Sequence, residues 1–158
     1  CGYYGDPKKS CKCFPGAISR YQKRISGPIL DRIDIHVDVP SVETQKLVGS
    51  SILSTLKTSK EIQKKVQKSR EMQIKRFKKT NLKSNSEMGT KEVKIFCPLT
   101  GESQVMLRSA VSSMNLSARS YFKVIKIART IADLSGEGDI TSIHIAEALQ
   151  YRPKDDEI

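Results

Sequence analysis

Three of the four cysteines stand close together. Cys1, Cys11 and Cys13 fall within the first thirteen residues, and Cys11-Lys12-Cys13 is a Cys-x-Cys pair. Thiolates at such short spacing can hold a tetrahedral zinc ion. A zinc site of this kind normally takes four ligands; only three are clustered here, and the fourth could lie upstream of Cys1. Cys97 follows the apolar-centred run Lys94-Ile95-Phe96 and is expected to be a buried core thiol. A secreted disulfide scaffold would be shorter and denser in cysteine, so the expected compartment is a reducing cytoplasm.

Two arginines stand out by their settings. Arg32 lies between Gly27-Pro28 and the alternating run Ile33-Asp34-Ile35-His36-Val37-Asp38-Val39. A rigid turn before a strand would hold its guanidinium at the edge of a sheet, where one subunit can present charge to another. Arg119 follows Ser117, which reads as a helix N-cap. A cation in a first helical turn is disfavoured by the helix dipole, and a residue set against a local preference points to function. For both arginines the alternative is a surface position or a carboxylate partner. Asp31 and Asp34 flank the strand entry and read as capping or surface carboxylates. His36 falls on the polar face of that strand, and neither it nor His144 accompanies a nucleophile motif. The chain has no Gly-x-x-x-x-Gly-Lys-Ser/Thr phosphate loop.

The elements that must position these residues are mostly helical. Residues 1–16, rich in Gly, Pro and Cys, read as a loop. A short helix is expected over Ala17 to Ser26, with Ile18, Tyr21 and Ile25 on one face and Gly27-Pro28 ending it. The strict alternation of 33–39 predicts a half-buried strand closed by Pro40. A helix is expected over 43–48. Thr58 and Glu61 have capping-box spacing and predict a long basic helix to Phe77, with Ile62, Val66, Ile74 and Phe77 as a thin apolar stripe. Lys78 to Ser86 reads as a loop, and Thr90 as the cap of a short helix through Phe96 that Pro98 ends. Three further helices are expected. The first is Glu102 to Met114, with Val105, Met106, Leu107, Ala110, Val111 and Met114 apolar. The second runs from the Ser117 cap to Leu134, stopped by Gly136. The third runs from the Thr141 cap through Gln150, burying Ile145, Ala146 and Leu149. Their short connections predict antiparallel neighbours.

Composition bounds the rest. With 158 residues and 37% hydrophobic side chains, the chain can build one domain core, or a small domain plus part of another. It is too apolar to be wholly disordered, and no apolar run approaches the ~18 residues of a membrane span. It opens on Cys1-Gly2-Tyr3-Tyr4 rather than on Met, and is expected to be part of a longer protein. Its net charge of +11 is uneven: residues 57–94 hold 13 basic and 4 acidic side chains, whereas 95–158 hold 7 and 8. Such a concentration attracts phosphate polyanions and would let go of them as salt rises. The alternative is a solvated helix face, since no aromatics interleave with the lysines.

Four ordered motifs resemble a known family. Gly27-Pro28-Ile29-Leu30-Asp31-Arg32-Ile33-Asp34 is similar to the G-P-x-L-D-R-x-D segment of the magnesium-chelatase-like AAA+ ATPases, in particular their competence-protein ComM branch. Asn115-Leu116-Ser117-Ala118-Arg119 resembles that family's N-L-S-A-R helix start. Ala128-Arg129-Thr130-Ile131-Ala132-Asp133-Leu134 and Ala146-Glu147-Ala148-Leu149-Gln150-Tyr151-Arg152 resemble its A-R-T-I-A-D-L and E-A-x-Q-Y-R stretches. Cys1-Gly2-Tyr3 resembles the end of its N-P-C-P-C-G stretch, whose upstream cysteine would complete a zinc set with Cys1, Cys11 and Cys13.

The resemblance implies a mainly α fold class, the carboxy-terminal part of an AAA+ α/β phosphate-loop ATPase. Residues 1–40 would end the α/β core, with its cysteine-rich loop and last strand. Residues 41–153 would form a helical lid with a basic lead-in helix, and 154–158 an acidic tail. It implies ATP and Mg²⁺ as cofactors, Arg32 as an arginine finger reaching ATP on a neighbouring subunit, and Arg119 as a lid arginine contacting the phosphates. The intact protein would hydrolyse ATP as a homo-oligomeric ring, a hexamer, and branch-migrate DNA during recombination of foreign DNA. It would have no membrane partner. This chain alone, lacking the phosphate loop, would be inactive. Two alternatives stand beside this: a magnesium-chelatase motor subunit, and a non-enzymatic basic DNA-binding module with a cysteine-metal knuckle.

Overall fold

A computed structural model describes residues 1–6, 8–39 and 57–152. The described residues are mainly helical, contain no strand, and divide into two compact units, 1–39 and 57–152. The helix expected over 43–48 and the acidic tail lie outside the described residues.

The first unit is built around short helices. Helix α1 spans Pro15–Gln22, beginning two residues before the expected start and ending four before the expected end. Pro15 suits a first turn, where a missing N–H costs nothing and the fixed φ favours the helix. Ile18 is half-buried, but Tyr21 and Ile25 are exposed. Gly27-Pro28 does not end a helix; it starts one, the single turn α2 over Gly27–Leu30 with Ser26 as N-cap.

Residues 33–39 do not form the predicted strand. Alternation says which side chains would share a face; a strand also needs a neighbour for its backbone N–H and C=O groups. No described segment supplies one, and Ile33, Ile35, Val37 and Val39 are exposed. His36 is accordingly not a strand residue. Its half-buried ring bonds the Leu30 carbonyl at 3.2 Å and ties this segment to the end of α2.

The second unit has five helices among the described residues: α3 Ser59–Phe77, α4 Thr90–Phe96, α5 Gly101–Ser113, α6 Ala118–Ser135 and α7 Ser142–Gln150. A 3₁₀ turn at Asn85–Glu87 lies inside the stretch read as a loop. Helix α6 is the centre, packing against α3, α4, α7 and the 3₁₀ turn. Val124, Ile125, Ala128 and Ile131 bury its apolar face against Phe77, Val93, Ile140 and Ile145. The Phe77 and Phe96 rings meet edge to face at 5.3 Å and join α3 to α4. Helix α7 packs on both α5 and α6.

All but one of the expected caps follow the sequence signals. The Glu61 N–H donates to Thr58 Oγ1, and the Thr58 N–H donates to Glu61 Oε2 at 2.7 Å. The Thr58 N–H, and after it the Thr58 hydroxyl at 3.1 Å, donate to the Glu61 carboxylate and hold it below the usual range. Gly89, not Thr90, caps α4, with its N–H given to Glu92 Oε2 at 2.9 Å. Gly136 takes φ 79°, a left-handed conformation a side chain would strain, while Glu137 N–H reaches the Ala132 carbonyl at 2.9 Å to close α6.

Three helical faces depart from expectation. On α3, Ile62, Val66 and Ile74 are exposed, and the buried residues are Ser69, Gln73 and Phe77. On α5, Leu107 and Ala110 are buried while Val105 and Met106 face solvent. On α7 the buried apolar pair is Ile145 and Ala148, with Ala146 and Leu149 half-buried. Cys97 is a core thiol as expected, its sulfur 3.9 Å from that of Met88, and burial pushes its pKa up to about 11.

Candidate functional site

The structure brings Cys1, Cys11 and Cys13 together. Their sulfurs lie within 4.8 Å of one another, with Cys1 and Cys11 at 3.5 Å, and none is in a disulfide. Asp6 shapes the loop between them: its carboxylate accepts from the Lys8 and Lys9 N–H groups at 2.7 and 3.2 Å. Two thiolates on a tetrahedral zinc, each at about 2.3 Å, sit about 3.8 Å apart. The spacing and the all-sulfur donor set therefore fit zinc.

Arg32 is exposed just beyond α2. Its Nη1 donates to the Pro28 carbonyl at 2.8 Å, so one edge of the guanidinium caps the turn and holds the group in place.

Arg119 is the second residue of α6, and it is exposed. Its position is set by the turn before it. Asn115 adopts φ 45°, a left-handed conformation that asparagine tolerates better than most residues. Leu116 N–H bonds back to the Val111 carbonyl at 3.2 Å, closing α5. Ser117 then accepts from the Ser120 N–H at 3.1 Å and opens α6. Every residue of Asn115-Leu116-Ser117 thus serves a tight reversal that delivers Arg119 to a helix N-terminus. Buried Arg152, from beyond α7, donates to Ser120 Oγ at 2.6 Å and braces the same turn. The exposed Arg119 guanidinium and the helix N-terminus beside it favour an anionic ligand.

Sequence reasoning missed the polar centre of the second unit. Asp133 is buried on α6 and accepts from Arg76 Nη1 at 2.8 Å, Arg129 Nε at 3.1 Å and Asn85 Nδ2 at 2.8 Å. Arg129 extends to the carbonyls of Gly138 and Glu137 at 2.6 and 2.7 Å, fixing the loop before α7. Burial pushes the Asp133 carboxyl up, but bonds from Arg76 and Asn85 and the nearby positive charges outweigh it and hold it low. The signal was the Arg129-to-Asp133 spacing of four residues, one helical turn, inside a helix otherwise apolar on that face. His144, also buried, accepts the Thr141 N–H on Nδ1 at 3.1 Å and directs Nε2 toward Glu137 at 3.6 Å. It is a structural cap.

Both units match one family. Residues 56–152 match the magnesium chelatase subunit ChlI C-terminal domain, and residues 1–47 match magnesium chelatase subunit ChlI. The chain belongs to the magnesium chelatase ChlI family. It is 40% identical to competence protein ComM of Haemophilus influenzae over 138 residues, covering 87% of this chain and 26% of that protein. It is 32% identical to YifB of Escherichia coli over 144 residues, covering 91% of this chain and 27% of that protein. The chain therefore spans about a quarter of the length of the curated relatives it matches. The family is of the AAA+ type, and the second unit corresponds to its C-terminal helical domain. No helix among the described residues is long and apolar enough to cross a membrane.

Proposed function

We propose that this chain is the carboxy-terminal part of a ring-forming AAA+ ATPase of the cytoplasm that remodels DNA, as a ComM-like branch-migration motor. In this reading residues 1–40 end the nucleotide-binding core, and 41–153 form the lid that closes on it.

The observation that carries the reading is Arg119. The structure gives it no ion pair among the described residues, and the helix dipole opposes it by about 0.3–1 kcal/mol. A cation held there without a protein counter-charge suits an anion that arrives with a ligand. ATP and Mg²⁺ supply the phosphoryl group and its charge screening. Arg119 then contacts the phosphates, and lid closure follows nucleotide state. Arg32 presents a planar, permanently charged fork that matches the γ-phosphate oxygens of ATP on an adjoining subunit, where negative charge grows during transfer. The turn that α2 and the Pro28 carbonyl impose on Arg32 limits its reorganisation at that moment.

In the intact protein, Arg32→Ala should lower hydrolysis by about 10³-fold or more while nucleotide affinity stays near wild type. An unchanged turnover rate would show the finger assignment to be wrong. Cys1, Cys11 and Cys13, with a fourth thiolate, would hold zinc as a structural clip that fixes the loop before α1. Metal analysis of the intact protein should find one zinc per chain at this loop, lost in Cys11→Ser. Equal zinc in wild type and variant would exclude the site.

A further inference from the structure

The first half of α3 is a helix without a core beneath it. Residues 59–68 are all exposed, and burial begins only at Ser69. Ile62, Val66, Ser69, Gln73 and Phe77 follow a single helical face, so the buried seam continues toward the N-terminus past the edge of the unit. The Thr58–Glu61 capping box starts this stretch. At about 1.5 Å per residue it extends roughly 15 Å as a supported arm.

The arm and its continuation carry Lys60, Lys64, Lys68 and Lys75 along one side, with Lys65 beside them, all exposed. Among the described residues none of the five forms an ion pair. The two acids on α3 are engaged: Glu61 is folded back onto Thr58, and Glu71 accepts from Gln67 Nε2 at 3.4 Å. The lysines line one wall of an open groove whose other wall includes Leu134, Ser135 and Gly136. Asp133 at its base is already matched by Arg76 and Arg129. Lys60 also sits in the first turn, near the positive end of the helix dipole, where it is locally disfavoured. On the α3 wall five lysines stand beside two carboxylates, Glu61 and Glu71, which leaves an excess of three positive charges.

We infer that this face of α3 is a binding surface for the phosphate backbone of duplex DNA. The inference rests on the DNA partner of the proposed function and locates it. Lys60, Lys64 and Lys68 repeat every four residues, about 6 Å along the helix. A duplex strand rises about 3.4 Å per nucleotide while winding round the axis, which sets neighbouring phosphates about 6–7 Å apart, so the row is spaced like adjacent phosphates. The face has no aromatic side chain, and single-strand binding surfaces stack bases on aromatics. Only Ile62 and Val66 are exposed on its apolar flank over 59–68, too little to seat the arm in a lipid surface. Lysine on flexible stems, with no Arg, Asn or Gln aimed from a rigid position, makes the contact independent of sequence.

The test is the affinity of the intact protein for a labelled 30-base-pair duplex, titrated across salt concentrations. Replacing Lys60, Lys64, Lys68 and Lys75 with Gln should weaken binding at least tenfold and make the salt slope shallower by about 3. The half-way variant K64Q/K68Q should lose about half as much slope, and circular dichroism checks that each variant folds. K83Q/K91Q/K94Q, which removes as many as three charges elsewhere in the basic region, should change little. If wild type binds duplex and the α3 variants bind with the same affinity and slope, this inference fails and the DNA partner stands. An equal loss in the Lys83, Lys91 and Lys94 variant overturns it in favour of a diffuse field. Binding to phosphatidylserine vesicles that the α3 variants lose, with duplex binding intact, overturns it in favour of a membrane. No duplex binding by wild type ends both the inference and the DNA reading.

Discussion

The two ends of α6 treat arginine in opposite ways. Near its C-terminal end, Arg129 is 1% exposed, paired with Asp133 and bonded to two backbone carbonyls. At its N-terminal end, Arg119 is exposed and forms no ion pair among the described residues. Both lie in stretches that resemble motifs of the family, so such a resemblance alone does not separate scaffold from chemistry. The partners do. A guanidinium whose N–H groups are answered by the protein is finished as structure. One delivered by a tight, well-bonded turn and then left to solvent is available to a ligand.

The strongest way to break this contrast is Asp133→Ala. It leaves Arg76 and Arg129 buried near each other without their shared carboxylate, and should cost about 3–5 kcal/mol, measured by denaturant unfolding. A loss below 1 kcal/mol would mean that the network is not the centre of the unit. Arg119→Ala sharpens the contrast from the other end. It should lower ATP hydrolysis by the intact protein about 10²-fold, yet leave the unfolding midpoint unchanged or slightly raised, since a cation is removed from the positive end of a dipole. A matching loss of stability would make Arg119 structural after all.

Acid gives a smaller effect on the same pair of ends. The Asp133 carboxyl titrates below its ordinary value of 3.8 in the folded chain. Its stabilisation is thus present above that value and is lost as pH falls through the lowered one. Asp133→Asn should be less stable than wild type at neutral pH, and the gap should narrow below about pH 4. The smallest effect belongs to the helix stop: Gly136→Ala, forced to hold a positive φ, should cost about 1–2 kcal/mol. The equivalent Gly138→Ala change, at a position without that constraint, should cost less.

Much of the second unit was legible because its signals are local. Thr58 with Glu61, Ser117 before α6 and Gly136 after it each act on backbone groups within one turn, so composition near the site is enough to place them. The same local logic gave the Cys-x-Cys loop, since close spacing in sequence keeps thiols near in space. It failed where a partner was required. The alternation at 33–39 has no described strand beside it, and α3 buries Ser69 and Gln73 rather than Ile62 and Ile74.

By itself, then, the sequence determined roughly where the helices of the second unit begin and stop, which cysteines could share an ion, and the family to which the chain belongs. Only the tertiary structure decided which face of each helix is covered, and which arginines are consumed in building the molecule. The reason is physical. Capping energies arise from neighbours along the chain, whereas the burial of Asp133 between Arg76 and Arg129 depends on α3 arriving against α6, an event that pairs residues 57 positions apart.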